Sequence, residues 1–132
     1  MEKLFMWKIK INGGQIVANC LHKMGVKTIF MVPGESYLNV INGLYNYKNT
    51  MKIIVCRHEA GSANMAEADG KISKTPGIAF VTRGPGACHA SIGLHTAMQD
   101  STPMILFVGQ ISSEHKGKEA FQEVEYRDMF AP

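Results

Sequence analysis

Short apolar runs alternate with segments of helical character along almost the whole chain, and this alternation limits the possible folds more than any other feature. Strands are predicted at residues 26–32, 51–55, 78–82 and 104–108, because these runs are apolar and are bounded by glycine, proline or polar residues. The first two are predicted to be buried strands. Helices are predicted at residues 13–23, 37–45, 59–74 and 89–99 from helical spacing or helix-favouring composition. We therefore predict an α/β fold, a doubly wound, flavodoxin-like parallel sheet with helices on both faces in three α/β/α layers.

The length of 132 residues suits one domain and is too short for two independent ones. We place an N-terminal extension at residues 1–12 and the domain at residues 13–132. Residues 112–132 are polar and charged as far as Glu125, and they contain no closing strand and helix of the kind that a doubly wound sheet normally has. We therefore expect the domain to be truncated at its C-terminal end, as a fragment or split version of something longer.

The composition, with 45% hydrophobic and 19% charged residues, is that of a soluble globular protein. A formal net charge of +3, with lysines spread along the chain, argues against nucleic acid as a partner. The apolar run near the N-terminus has only four residues, which is too short for a signal peptide or a membrane span. We expect a cytoplasmic protein with no membrane partner.

The cysteines and histidines show no metal-binding spacing. Cys20, Cys56 and Cys88 are an odd number at wide separations, so we expect free thiols. The pair His58-Glu59 lacks the second histidine that the H-E-x-x-H motif requires. No protein-ligated transition metal is predicted from this spacing.

Polar and glycine-rich segments follow each predicted strand, at residues 32–35, 57–59, 82–86 and 109–110. In open parallel sheets, ligands bind outside the carboxyl ends of the strands, where the loops into the next helices meet. The convergence of these four segments predicts a functional site at that edge.

The motifs in these segments carry a resemblance to a known family. They are Val32-Pro33-Gly34, Arg57-His58-Glu59-Ala60 with Met65-Ala66 and Gly70, Thr82-Arg83-Gly84-Pro85-Gly86-Ala87, Asp100-Ser101-Thr102-Pro103 with Gly109-Gln110, and Ala120-Phe121-Gln122-Glu123. Their order and spacing resemble the N-terminal, pyrimidine-binding domain of thiamine-diphosphate-dependent enzymes, from about Gly14 onward. Within this family, the last motif most resembles acetolactate synthase, glyoxylate carboligase and benzaldehyde-lyase-like members.

The resemblance gives Glu59 a catalytic role. In the family, a glutamate at this position forms a hydrogen bond with N1′ of the aminopyrimidine of the cofactor. Sharing a proton with N1′ favours the imino tautomer, whose exocyclic nitrogen removes the proton from C2 of the thiazolium. Glutamine would hold the ring but would not relay the proton. A simpler interpretation stays open, in which Glu59 is a first-turn glutamate favoured by the helix dipole.

The resemblance also implies cofactor-binding residues. Pro33, Gly34 and Glu35 resemble the loop that lies against the pyrimidine, where a small residue allows close backbone approach. Thr82 and Pro85 belong to a turn that in the family faces the pyrimidine and the partner subunit. The loop of Pro33, Gly34 and Glu35 is equally compatible with a simple turn that ends a strand. The glycines around Pro85 match neither a Rossmann nor a P-loop fingerprint, so no phosphate cradle is predicted there.

Three further polar residues receive weaker interpretations. Gln122 resembles the glutamine that reaches toward the thiazolium and the bound substrate in acetolactate-synthase-like enzymes, although an exposed loop residue is an equal alternative. Gln110 is predicted to be structural and to cap backbone groups in its loop. His89 stands where family members of this type often have asparagine, and we predict a structural role for it.

The implied cofactor is thiamine diphosphate, with Mg²⁺ held by a separate diphosphate-binding domain. That domain is marked in the family by a Gly-Asp-Gly run and a downstream asparagine, and neither is found in this sequence. The family's central domain that can hold FAD is also absent from this sequence, so FAD cannot be inferred. The resemblance implies a homodimer or homotetramer, with the diphosphate-binding domain in another chain or in a missing segment.

Three functions are compatible with these observations. The first, which we favour, is a fragment or split subunit of a thiamine-diphosphate-dependent carboligase or decarboxylase acting on a 2-oxo acid, inactive as the 132-residue chain alone. The second is a non-catalytic binding or dimerisation module with the same fold. The third, a nucleotide-binding α/β domain, lacks a fingerprint.

Overall fold

A computed structural model of the protein describes residues 10–131, and it contains a four-stranded parallel sheet between two layers of helices. The strands are β1 (Thr28–Met31), β2 (Lys52–Val55), β3 (Gly77–Val81) and β4 (Met104–Val108). The α-helices are α1 (Gly13–Lys23), α2 (Leu38–Tyr45), α3 (Glu59–Ser73), α4 (Arg83–Gln99) and α5 (Tyr126–Phe130), with 3₁₀ turns at Glu35–Tyr37 and Ser113–His115.

The strand order is β2-β1-β3-β4, and every neighbouring pair is parallel. This is the flavodoxin-like order, so the predicted doubly wound fold is confirmed. The strand order reverses between β1 and β3, and open sheets of this type bind ligands in the crevice at such a switch point. The loops that follow β1 and β3 are therefore the expected walls of a site.

Successive residues of β1 and β3 point to opposite faces of the sheet, and each face has its own core. Ile29 and Phe80 pack with residues of α1 and α2. Phe30, Ala79 and Val81 pack on the other face with small residues of α3 and α4. These continuous apolar runs are what a strand covered on both faces requires.

The helix α1 begins and ends where the sequence predicts. Asn12 caps its N-terminus, because its side chain accepts from the Gln15 backbone N–H at 2.9 Å and the Gln15 side chain accepts from the Asn12 N–H at 2.9 Å. Gly25 follows the helix with φ of +82°, a conformation that favours glycine. Residues 1–9 of the predicted N-terminal extension lie outside the described residues.

Two predictions on the elements are wrong in detail. The strand β2 was predicted to be buried like β1, but it lies at the edge of the sheet, and Val55 is 64% exposed. Residues 83–86 were predicted to form a turn before a helix at 89, but α4 already begins at Arg83. Pro85 falls in the first turn, where a backbone N–H has no partner within the helix, so proline interrupts no hydrogen bond there.

Within residues 10–131, none of the helices combines the length and the apolar character that crossing a membrane requires.

Candidate functional site

Three side-chain contacts join the loops at the carboxyl edge of the sheet. Glu35, after β1, accepts from the Arg83 guanidinium at 2.8 Å. The hydroxyls of Ser36 and Thr82 lie 2.7 Å apart and share a hydrogen bond. Glu59, after β2, lies 2.9 Å from Nδ1 of His89 on α4. The beginning of α4 is thus connected to the loops that follow both β1 and β2.

Glu59 is the first residue of α3, and its carboxyl group is well shielded. Its side chain is 14% exposed, and its Oε2 is the atom that faces His89. The residue before it, His58, caps the helix, because its Nδ1 accepts from the Ala60 backbone N–H at 3.1 Å. Residues 10–131 form no hydrogen bond to the second oxygen, Oε1. One carboxylate oxygen is therefore held by the protein, and the other has no hydrogen-bond partner among residues 10–131.

Tyr37 lies close to this carboxylate and fixes the loop after β1. Burial raises the pKa of the Tyr37 hydroxyl far above its usual range, and the negative charge of Glu59 raises it further. Tyr37 therefore stays protonated, and it donates to the carbonyl of Val32, where β1 ends. Its ring packs against Phe80 with centroids 5.7 Å apart.

The loop after β1 contains three of the predicted cofactor-binding residues. Pro33 and Glu35 are exposed, and Gly34 is half-buried. A Cβ atom at Gly34 would lie 2.4 Å from the Cβ of Thr82. Packing of this loop against the end of β3 therefore already requires glycine at position 34, whether or not a ligand approaches it.

Thr82 and Pro85, the other two predicted cofactor-binding residues, belong to the beginning of α4. Thr82 is in direct contact with the loop after β1, whereas Pro85 is exposed on the first helical turn. Between them, Arg83 has φ of +38°, which is rare for a residue with a side chain. Its Nε is buried and has no hydrogen-bond partner among residues 10–131. Strained backbone and unpaired polar atoms are most common at functional sites.

The C-terminal segment reaches the same edge. The Gln122 carbonyl accepts from the Gly84 backbone N–H at 3.1 Å, and Gln122 has φ of +63°. This contact brings Gln122, the predicted substrate-side residue, to the start of α4. Gln110 donates from Nε2 to the Val124 carbonyl at 3.0 Å and accepts from the Ile111 N–H at 2.8 Å. Its predicted structural role is confirmed.

The carboxylate of Glu123 holds the loop next to Gln122. It accepts from the backbone N–H groups of Gly117 and Ala120, the latter at 3.0 Å. These hydrogen bonds favour the ionised form and lower the pKa of Glu123 below its ordinary value of 4.5. A folded-state pKa below the unfolded one means that the stabilisation is present above pH 4.5 and disappears as the pH falls through the lowered pKa.

We therefore predict that the amide proton shifts of Gly117 and Ala120 titrate with one midpoint below pH 4.5, followed by NMR. In Glu123→Gln this titration should disappear, because an amide side chain carries no proton to gain in that range. A midpoint at or above 4.5, or an unchanged titration in the variant, would contradict the role of Glu123.

The sequence did not predict the contact of His89 with Glu59. His89 was given a structural role, but the packing of α3 on α4 brings it onto the carboxylate. The His58 and His89 rings also lie 4.7 Å apart. The contact between these two side chains cannot be recognised from the spacing of residues in the sequence, because 30 positions separate Glu59 from His89. The resemblance gave one indication that this position is special, because similar proteins often have asparagine there.

The arrangement has the elements of an acid–base site. A shielded carboxyl group with one free oxygen can share a proton with a ring nitrogen of a bound ligand. It lies at the carboxyl edge of the sheet, beside the switch-point loops where ligands of such folds bind.

Comparison with known proteins finds similarity over nearly the whole chain. Residues 11–129 match the family described as "Thiamine pyrophosphate enzyme, N-terminal TPP binding domain". The acetolactate synthase large subunit of Lactococcus lactis is 37% identical over 96% of this chain, and the mitochondrial acetolactate synthase catalytic subunit of Aspergillus candidus is 39% identical over 91%. The acetolactate synthase isozyme 2 large subunit of Escherichia coli is 36% identical over 87% of the chain.

The chain covers only a small part of these relatives. It spans 23% of the Lactococcus lactis protein, 17% of the Aspergillus candidus protein and 21% of the Escherichia coli protein. The similarity therefore concerns one region of each relative, about a fifth of its length.

Proposed function

The chain belongs to the family of N-terminal TPP-binding domains of thiamine pyrophosphate enzymes, and from this premise we propose that it forms the pyrimidine-binding half of an acetolactate-synthase-like active site. Glu59 is the proposed cofactor-activating residue. The observation that carries this proposal is the Glu59 carboxyl group, which is shielded at the ligand-binding edge and has one oxygen that residues 10–131 leave free.

The residues at this edge fit an aminopyrimidine ring. Such a ring needs one partner at N1′ that can both donate and accept a proton, and Glu59 Oε1 meets this requirement. The cofactor, when bound, supplies the nucleophilic carbon that attacks a 2-oxo acid. Glu59 holds and returns the proton at N1′, while the contact with His89 fixes the orientation of the carboxyl group.

Further residues are proposed to face the ligand. Pro33, Gly34 and Glu35 would lie along the pyrimidine, with Thr82 and Pro85 beside them at the crevice between β1 and β3. The mutual contacts of Gly34 and Thr82, and of Glu35 with Arg83, support a preformed wall at this position.

Gln122 is proposed to face the substrate. Its backbone is held by the Gly84 N–H, and its own positive φ is the kind of strain that ordered sites retain. The substrate is proposed to be a 2-oxo acid, in line with the resemblance to acetolactate synthase.

The remaining part of the active site is proposed to come from a diphosphate-binding domain in another protein segment or chain. This domain would hold the diphosphate through Mg²⁺, and the assembly would be a homodimer or homotetramer. The small share of each relative that the chain covers supports a contribution from further domains.

The experiment that tests the proposal is isolation of the protein from its native source with whatever co-purifies. We expect a diphosphate-binding domain, in the same or another chain, and consumption of a 2-oxo acid such as pyruvate that requires both thiamine diphosphate and Mg²⁺. Native material that binds no thiamine diphosphate and consumes no 2-oxo acid would contradict the proposal and would favour the non-catalytic module.

A further inference from the structure

Three side chains with metal-ligating atoms meet at the start of α3. His58, Glu59 and His89 each offer one nitrogen or oxygen, and these three atoms lie within 4.8 Å of one another. We propose that they form a binding site for a divalent transition-metal ion of the Zn²⁺ type. The residues come from two helices, so neither helix alone contains the site.

The donor set selects the class of ion. Two imidazoles and one carboxylate are a common set for Zn²⁺, with a remaining position for water or another ligand. Mg²⁺ prefers oxygen ligands and is a poor match for two nitrogens. The site therefore differs in chemistry from a magnesium site on a diphosphate group.

The three donor atoms, which lie within 4.8 Å of one another, are more widely spaced than in a bound state. Tetrahedral ligands at about 2.1 Å from Zn²⁺ lie roughly 3.4 Å from one another. The Nδ1 of His89 and the Oε2 of Glu59 are already 2.9 Å apart, and the two imidazole rings are inclined by only 30°. Binding therefore requires the third donor, from His58, to move closer by a rotation of its side chain. The side chain of His89 is 53% exposed, which leaves a path for the ion.

The backbone that carries these side chains is fixed by close helix packing. A Cβ atom at Gly93 would lie 2.5 Å from the Cβ of Ala63, so α3 and α4 are in contact one to two turns beyond the site. Small residues at this contact set the separation of the helices. Donors on rigid elements lose little freedom when they bind an ion.

Binding has a local consequence at the helix cap. His58 Nδ1 now accepts from the Ala60 N–H, so the neutral ring carries its proton on Nε2. An ion at Nδ1 takes the accepting lone pair, and an ion at Nε2 moves the proton to Nδ1. The Ala60 N–H loses its acceptor in both cases, so its amide resonance reports metal binding.

Binding would also affect the proposed cofactor role, a consequence that rests on the proposed function. An ion on Oε2 of Glu59 keeps the carboxylate ionised, so Oε1 can no longer hold the proton that it is proposed to share with the pyrimidine nitrogen. Occupancy by Zn²⁺ would therefore block the proposed activation of the cofactor until the ion is removed.

The test is calorimetric titration of the 132-residue chain with ZnCl₂, with MgCl₂ as the matched negative probe. We expect one Zn²⁺ per chain, no binding of Mg²⁺, and a Zn²⁺-dependent shift of the Ala60 amide resonance. His58→Asn and His89→Asn should each weaken binding at least about tenfold. His95→Asn, which changes an exposed histidine of α4 outside the cluster, should bind like the unaltered chain.

Two results would overturn the proposal. One is the absence of Zn²⁺ binding, and the other is binding of equal strength in His89→Asn, which would place the ion elsewhere. If a variant does not fold, the Ala60 amide resonance of the unaltered chain still tests the proposed site. An ion that binds elsewhere would leave this resonance unchanged. No cofactor and no turnover enter these measurements, so their failure is separate from failure of the proposed function.

Discussion

Glu59→Gln is expected to lower turnover by roughly 10²-fold or more in an enzyme reconstituted with a diphosphate-binding partner, the usual scale for lost acid–base assistance. Glutamine has nearly the same shape and can still accept a hydrogen bond from His89, so the fold and the helix start should be retained. What it cannot do is take up and return the proton at the pyrimidine nitrogen. The measurement is kcat with a saturating 2-oxo acid and thiamine diphosphate.

The matched control is Glu114→Gln, the same chemical change at an exposed glutamate in the 3₁₀ turn Ser113–His115. It should leave kcat unchanged. Circular dichroism of both variants separates a loss of chemistry from a loss of structure. Turnover of Glu59→Gln close to that of the unaltered enzyme would remove Glu59 from the mechanism while leaving the family membership intact.

The strand and helix alternation was sufficient to predict the sheet and its layers. The central strands β1 and β3 are continuous apolar runs because they are covered on both faces, and such runs can be recognised in a sequence. The edge position of β2 could not be predicted in the same way. Ile53 and Ile54 are as apolar as the residues of a central strand, since half-burial at the edge is enough to favour them.

The candidate site was only partly predictable, for a related reason. Glu59, Gly34 and Thr82 lie at or just after the carboxyl ends of predicted strands, so the topology brings them to one edge without any knowledge of side-chain packing. His89 and Arg83 were missed, because their contacts with Glu59 and Glu35 depend on where α4 starts and how it packs on α3. Pro85 obscured that start, since proline favours a turn as readily as the first turn of a helix.

The close approach of α3, the helix that begins at Glu59, to β3 depends on Gly77. A Cβ atom at Gly77 would lie 1.8 Å from the backbone oxygen of Ala66 in α3. The backbone N–H of Gly77 also donates to the Pro103 carbonyl at 3.1 Å, so the strand cannot move away without losing this bond. The contacting atoms are backbone, and no side-chain rotation can relieve the overlap.

Gly77→Ala is therefore expected to lower the free energy of unfolding by about 3 kcal/mol, the upper end of the usual cost of overpacking, with a Tm decrease of roughly 10 °C. Thermal and urea unfolding followed by circular dichroism measure both quantities. Gly61→Ala in α3 is the matched control, because a Cβ atom at Gly61 would meet no atom within 4 Å apart from the neighbouring backbone of its own helix. Alanine favours a helix over glycine, so this variant should gain about 0.5–1 kcal/mol. Equal stabilities of the two variants would mean that α3 can shift on the sheet, and the position of Glu59 would then not be fixed by packing.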